Sequence, residues 1–126
     1  MPGLRGDAAH TITDADTAIA MRSGEVPTLA TPRLVALLEE ATVAALAGQL
    51  AKGETSVGMR IHIDHLSPSG PGSRVVAEAL LEAVEGRRLT FGTTATVDGT
   101  VVATASIVRV VVATDRFIGR VDAESD

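Results

Sequence analysis

Thr31-Pro32-Arg33-Leu34-Val35-Ala36-Leu37-Leu38-Glu39-Glu40-Ala41 opens an apolar run that continues to Leu50. Thr followed by Pro is a helix start, because the hydroxyl can cap free amides and Pro suits the first helical position. Lys52-Gly53 is a helix stop. The run therefore reads as one helix of about 20 residues, roughly 30 Å long. It is apolar nearly all round, and such helices are normally buried. Glu39 sits inside it, with Val35, Ala36, Thr42 and Val43 three and four residues away. A carboxylate in such a place pairs, protonates or works. Glu40 is its competitor, since one residue turns a side chain by about 100°.

Working outward, Val57-Gly58-Met59-Arg60-Ile61-His62-Ile63-Asp64-His65 reads as a strand, within strand-like segments at about 55–66, 73–85, 88–97 and 100–114. Asp98-Gly99 is a hairpin signal, and Glu85-Gly86 separates the previous pair. The C-terminal half is thus an antiparallel meander. Residues 8–20 mix Thr, Ile and Asp and are expected to form a first strand. One long helix followed by a meander is an α+β pattern. Period-two alternation places Met59, Ile61, Ile63, Val75, Ala77, Ala79 and Leu81 against the helix, with Arg74, Glu78 and Glu82 outside.

His65 falls on the same face as Met59, Ile61 and Ile63, at a strand end where a side chain can reach a cleft. His62 falls on the opposite face with Arg60 and Asp64 and reads as solvated, and His10 near the N-terminus reads as incidental. Two histidines on opposite faces of one strand do not chelate one ion, so no metal site is expected. Gly58 marks a bulge or strand entry. The Pro68-Ser69-Gly70-Pro71-Gly72 stretch carries turn chemistry.

The 126 residues suffice for one domain with one core, read as 1–126 with an ordered part of roughly 8–114 and an acidic, solvated tail at 115–126. With no Trp or Tyr and only Phe91 and Phe117, the core must be built from small and branched aliphatics. A net charge of −5 without a basic run argues against nucleic acid as a partner. The absence of cysteine excludes disulfides, thiolate metal ligands and a cysteine nucleophile. No apolar signal core opens the chain and no apolar run is long enough to span a membrane, so a soluble cytoplasmic protein without membrane partners is expected. Phosphate-loop and Gly-x-Ser-x-Gly motifs are missing.

Taken in order, Ala30-Thr31 before the helix, Glu39 eight residues on, Ser56-Val57-Gly58, Asp64-His65, the Pro68–Gly72 loop and Val84-Glu85-Gly86-Arg87-Arg88-Leu89 resemble the hotdog-fold thioesterases. The resemblance is strongest to the fluoroacetyl-CoA thioesterase-like family, over residues 8–114. It implies a hotdog fold, a long central helix wrapped by a curved antiparallel sheet of about five strands. It implies an acyl-CoA thioesterase that releases carboxylic acid and CoA, with CoA as part of the substrate and no other cofactor. The family's catalytic trio matches Thr31, Glu39 and His65. In that scheme Glu39 attacks the carbonyl or activates water, His65 serves as acid or base, Thr31 orients Glu39 or the substrate, and the Gly58 amide faces the oxyanion. The resemblance also implies a homodimer or dimer of dimers with the thioester between subunits. The same fold carries acyl-CoA-binding modules and dehydratases, which remain alternatives. The fluoroacetyl-specific enzyme has a longer, aromatic-rich lid before the helix, whereas Met21-Arg22-Ser23-Gly24-Glu25-Val26-Pro27-Thr28-Leu29 contains no aromatic.

Overall fold

Side chains at 34, 37, 38, 41, 42 and 45 recur at helical spacing and form the buried stripe of the one long helix, α2. The computed structural model describes residues 1–125, with side chains through Asp122. In chain order it contains β1 (Arg5–Thr11), a 3-10 turn (Asp14–Asp16), α1 (Ala18–Met21), α2 (Thr31–Ala45), β2 (Glu54–His65), β3 (Arg74–Glu85), β4 (Arg88–Val97), β5 (Thr100–Ala113) and α3 (Thr114–Ser125). The five strands form one antiparallel sheet in the order β1-β3-β4-β5-β2. The meander β3-β4-β5 is as expected, and Asp98 (φ 50°) and Gly99 (φ 79°) make its last hairpin. Positive φ at both central residues suits the twist of the strands they join.

The sheet curls around α2. Phe91, Leu34, Leu38, Leu81, Leu89, Ile107 and Val75 fill the space between them and are almost fully buried. Gly6 brings β1 directly onto the helix backbone: a Cβ there would collide with the Ala45 amide and stand 2.7 Å from the Ala45 Cα. Curvature comes from register shifts at Met59, Glu82 and Val102, where one strand carries an extra residue.

Four expectations change. α2 ends at Ala45 rather than Leu50. The chain turns there through Gly48 at φ 73°, a conformation that glycine adopts without strain. The first strand spans Arg5–Thr11 only. Beyond it, the Thr13–Asp16 capping box and the Thr17 hydroxyl, which accepts from the Ala20 amide, nucleate two short helical turns. The acidic C-terminal stretch is helical from Thr114 to Ser125, although residues 115–122 are solvent-exposed as expected. Met59 is 41% exposed, whereas Ile61 and Ile63 pack on the core. The expected facing holds on β3, where Val75, Ala77, Ala79 and Leu81 are buried and Arg74, Glu78 and Glu82 are exposed.

The Met59 exception matters for the site. Before the bulge, Ser56 and Gly58 pair with Val111 and Arg109; after it, Ile61, Ile63 and His65 pair with Ile107, Ala105 and Ala103. Paired residues of an antiparallel ladder share a face. The extra residue therefore puts even-numbered Gly58 and odd-numbered His65 on the same, helix-facing side.

Candidate active site

At the start of α2 the cap is Ala30, not Thr31. Ala30 is extended (φ −70°, ψ 137°), has no polar side chain, and leaves Thr31 as the first helical residue. The chain is held there by the backbone: the Leu29 amide donates to the Ser69 carbonyl and the Ala30 amide to the Asp16 carbonyl. The Thr31 hydroxyl, relieved of capping, is hydrogen-bonded to His65 Nδ1 at 2.8 Å. His65 Nε2 is buried and has no protein partner among the described residues, so Thr31 is what orients the ring. Both residues line a hollow of about 370 Å³ whose other walls come from α1, the segment after it, and Leu66–Pro68.

Two turns further along α2, Glu39 meets β2 and β5. Its Oε2 accepts from Arg109 Nη1 at 3.4 Å. The same oxygen lies against Gly58 so closely that a Cβ there would stand 2.6 Å from it. Only glycine leaves this room. Glu39 is paired rather than sealed, with its side chain 34% exposed against 8% for Arg109. Arg109 is anchored further by Nε to the Ser56 hydroxyl (2.9 Å) and Nη2 to the Ser56 carbonyl (3.0 Å). Burial pushes the Arg109 guanidinium below its ordinary value, and the Glu39 charge pulls it back up. Glu39 and Arg109 line a second, mainly apolar hollow of about 390 Å³ with Ala36, Glu40 and Val43.

Of the four residues singled out by sequence, then, the fold joins Thr31 to His65 and Glu39 to Gly58. The two pairs are separated by eight residues of helix, about 12 Å along its axis. Glu40 is exposed and points to Arg33 at 3.8 Å, so the two neighbouring carboxylates are sorted by helix phase. His62, Arg60 and Asp64 lie on the solvent side.

Arg109 was missed by sequence reasoning. The available signal was a lone charge in Ile107-Val108-Arg109-Val110-Val111, in phase with the inward Ile107 and Val111. His10 was also misjudged as incidental: its Nε2 donates to buried Asp16 at 2.7 Å. Asp16 further accepts from the Thr13 amide (2.7 Å), the Thr13 hydroxyl (3.0 Å) and Arg33 Nε (3.3 Å), tying the chain before α1 to the first turn of α2. Burial opposes the Asp16 charge, but the Thr13 amide, His10 and the Thr13 hydroxyl outweigh it and hold the carboxyl down at about 2.

The arrangement provides a hydroxyl–imidazole pair at a helix N-terminus, where the dipole favours developing negative charge. It also provides a carboxylate held by one oxygen against a glycine. Solved structures share this architecture. A structure of the fluoroacetyl-CoA thioesterase FlK superposes with a TM-score of 0.91 at 27% identity, covering 98% of this chain and 96% of that one. A hot-dog-like protein from Thermanaerovibrio acidaminovorans gives 0.89 at 27% identity, covering 98% and 91%. The fold is therefore the hotdog fold. The fluoroacetyl-CoA thioesterase of Streptantibioticus cattleyicolor is 44% identical over 62 residues, a stretch spanning 49% of this chain and 45% of that enzyme. The family model described as fluoroacetyl-CoA-specific thioesterase (FlK) matches residues 12–115. With most of its length matched, this chain belongs to the fluoroacetyl-CoA-specific thioesterase family.

Proposed function

We propose that this protein is an acyl-CoA thioesterase. The observation that carries the reading is the Glu39 carboxylate, held by Arg109 against Gly58 in a member of a thioesterase family. Water adds to the thioester carbonyl carbon, the C–S bond breaks, and the products are a carboxylic acid and the free thiol of CoA. Glu39 is the carboxylate that drives this, as nucleophile or as the base that deprotonates water. Oε2 is engaged by Arg109, which leaves Oε1 for the chemistry. The Gly58 amide faces the developing oxyanion. His65, oriented by Thr31, is in this reading the group that moves the proton the departing sulfur needs; because the pair stands about 12 Å from Glu39 along one α2, the two act on one thioester only across a pair of subunits. The Thr31–His65 bond supports Thr31 as the orienter of the histidine rather than of Glu39.

The assembly in this reading is a homodimer, alone or paired into a dimer of dimers, in the cytoplasm. β2 supports it: a 12-residue strand at the sheet edge, with Met59 exposed beside the site, is the kind of edge that a second copy covers. No helix among the described residues is long and apolar enough to cross a membrane. Light scattering at micromolar concentration should give a mass of at least two chains, and a monomer would refute this assembly.

The test of the chemistry is free-thiol release from a panel of acyl-CoAs. Glu39→Gln and His65→Ala should each lower turnover by about a hundredfold or more, as when a general acid–base or covalent group is lost. Glu40→Gln should stay within about threefold, because that carboxylate faces Arg33 and solvent. Unchanged turnover in Glu39→Gln would refute the assignment. Tight acyl-CoA binding without thiol release would instead identify a binding module.

A further inference from the structure

Building on the thioesterase reading, we propose that Asp16 is a positioning residue for the reaction: from outside the site it fixes Thr31, and through Thr31 the His65 ring. Two tethers from Asp16 bracket Thr31. Its backbone carbonyl accepts from the Ala30 amide at 2.9 Å, just before Thr31. Its Oδ1 accepts from Arg33 Nε at 3.3 Å, just after. The other carboxylate oxygen, Oδ2, takes His10 Nε2 at 2.7 Å, the Thr13 amide at 2.7 Å and the Thr13 hydroxyl at 3.0 Å. The two oxygens thus divide the task. Oδ2 is fastened to the end of β1 and the turn after it, and Oδ1 to the first turn of α2. β1 is a firm reference, since every residue from Arg5 to Thr11 is paired with β3.

Asp16 is 8% exposed. Desolvation offsets most of the attraction within a buried ion pair, so such a pair is a poor source of stability. What this one supplies is placement, and the ring it serves is sensitive to placement. His65 Nδ1 is hydrogen-bonded to Thr31 at 2.8 Å, and its buried Nε2 has no protein partner among the described residues. A shift of the Thr31 hydroxyl by about 1 Å breaks the hydrogen bond that aims the imidazole, and misplacement on that scale costs about a hundredfold in rate. On the other side of the entering chain, the Leu29 amide donates to the Ser69 carbonyl at 2.8 Å. One bond is a pivot; the Asp16 tethers supply the further points that stop rotation. An asparagine keeps a single acceptor oxygen, so it can hold the end of β1 or the start of α2, but not both.

The test compares Asp16→Asn, Arg33→Met and Gly6→Ala with wild type, each at a temperature where melting curves show it folded. Arg33→Met severs only the Oδ1 tether and keeps an apolar stem in place. Gly6→Ala strains β1 against the far end of α2, at Ala41 and Ala45, and so reports what lost stability alone does. Thiol release should give a kcat about tenfold lower in Asp16→Asn and Arg33→Met, but no lower than in Thr31→Ala, with KM within about twofold and Gly6→Ala unchanged. In a Thr31→Ala background, Asp16→Asn should change kcat by less than about twofold, because both substitutions act through one bond. NMR of the His65 ring nitrogens reads the geometry without any turnover. The Nδ1 signal should move in Asp16→Asn as it does in Thr31→Ala, and stay in place in Gly6→Ala. An unmoved His65 signal in Asp16→Asn, or an unchanged kcat there, would make Asp16 a structural residue only and overturn the proposal. So would a full further loss of kcat when Asp16→Asn is added to Thr31→Ala. If Asp16→Asn does not fold, Arg33→Met decides by the same readings. Absence of turnover in wild type would overturn the thioesterase reading, and the His65 signal would still decide the placement: moved, Asp16 sets it; unmoved, it does not.

Discussion

Replacing Gly58 by alanine should separate folding from chemistry. An ideal Cβ at this position stands 2.6 Å from Glu39 Oε2, 3.8 Å from its carboxyl carbon and 3.9 Å from Arg109 Nη1. Only the first contact is impossible. The oxygen must retreat to at least 3.4 Å, where ordinary contact begins, a displacement of about 0.8 Å. What yields is the far end of a flexible, one-third exposed side chain, so the backbone need not move. The Arg109 contact that is lost is already 3.4 Å long. Its loss should cost no more than about 1 kcal/mol, a fall in Tm of about 4 °C. A reacting group misplaced by about 1 Å loses about a hundredfold in rate. Gly58→Ala should therefore keep its Tm within about 4 °C and lose about a hundredfold in thiol release on the best acyl-CoA. Gly119→Ala, where a Cβ meets open space, is the control and should change neither. In a Glu39→Gln background the Gly58→Ala effect should shrink below about threefold, because neighbours acting through one group are not additive. Turnover within about threefold of wild type in Gly58→Ala alone would show that the Glu39 position seen here is not the working one.

Further outcomes follow from the same contacts. In Arg109→Gln, Ser56 and Glu39 both lose their partner. Turnover should fall about tenfold or more and stability by about 2 kcal/mol, checked by denaturant melts alongside rates. At Gly6 an added carbon meets main chain of α2 that cannot swing away. Gly6→Ala should destabilise by about 3 kcal/mol, which thermal melting reads directly. Asp16 governs acid stability, since its folded carboxyl lies at about 2 against an ordinary 3.8. A lowered carboxyl stabilises the fold where it is ionised in both states, so its contribution is complete above about pH 4 and is lost as pH falls through about 2. Asp16→Asn should be less stable at about pH 6 but lose less between about pH 5 and pH 2, as followed by denaturant midpoints. Thr31→Ala should cost little stability, because Thr31 does not cap α2, yet should lower turnover by freeing His65.

The long helix, the four later strands, the Asp98-Gly99 hairpin and the inward face of β3 were legible in the sequence, because hydrophobic periodicity and turn chemistry are local. Thr31, Glu39, Gly58 and His65, the site residues expected from the sequence, all lie where the helix and the helix-facing side of the sheet meet. Three things needed the tertiary structure. The bulge at Met59 depends on how β2 pairs with β5, and it alone brings Gly58 and His65 to one face despite their opposite parity. The cap of α2 passed from Thr31 to Ala30 because distant carbonyls, of Asp16 and Ser69, hold the entering chain, and this set the hydroxyl free for His65. Arg109 became the anchor of Glu39 only when β5, some seventy residues away in sequence, was laid beside α2. Periodicity assigns each side chain to a face of its own element. Which charges meet across elements is decided by packing, where a carboxylate and a guanidinium leave water together only if the fold sets them within reach.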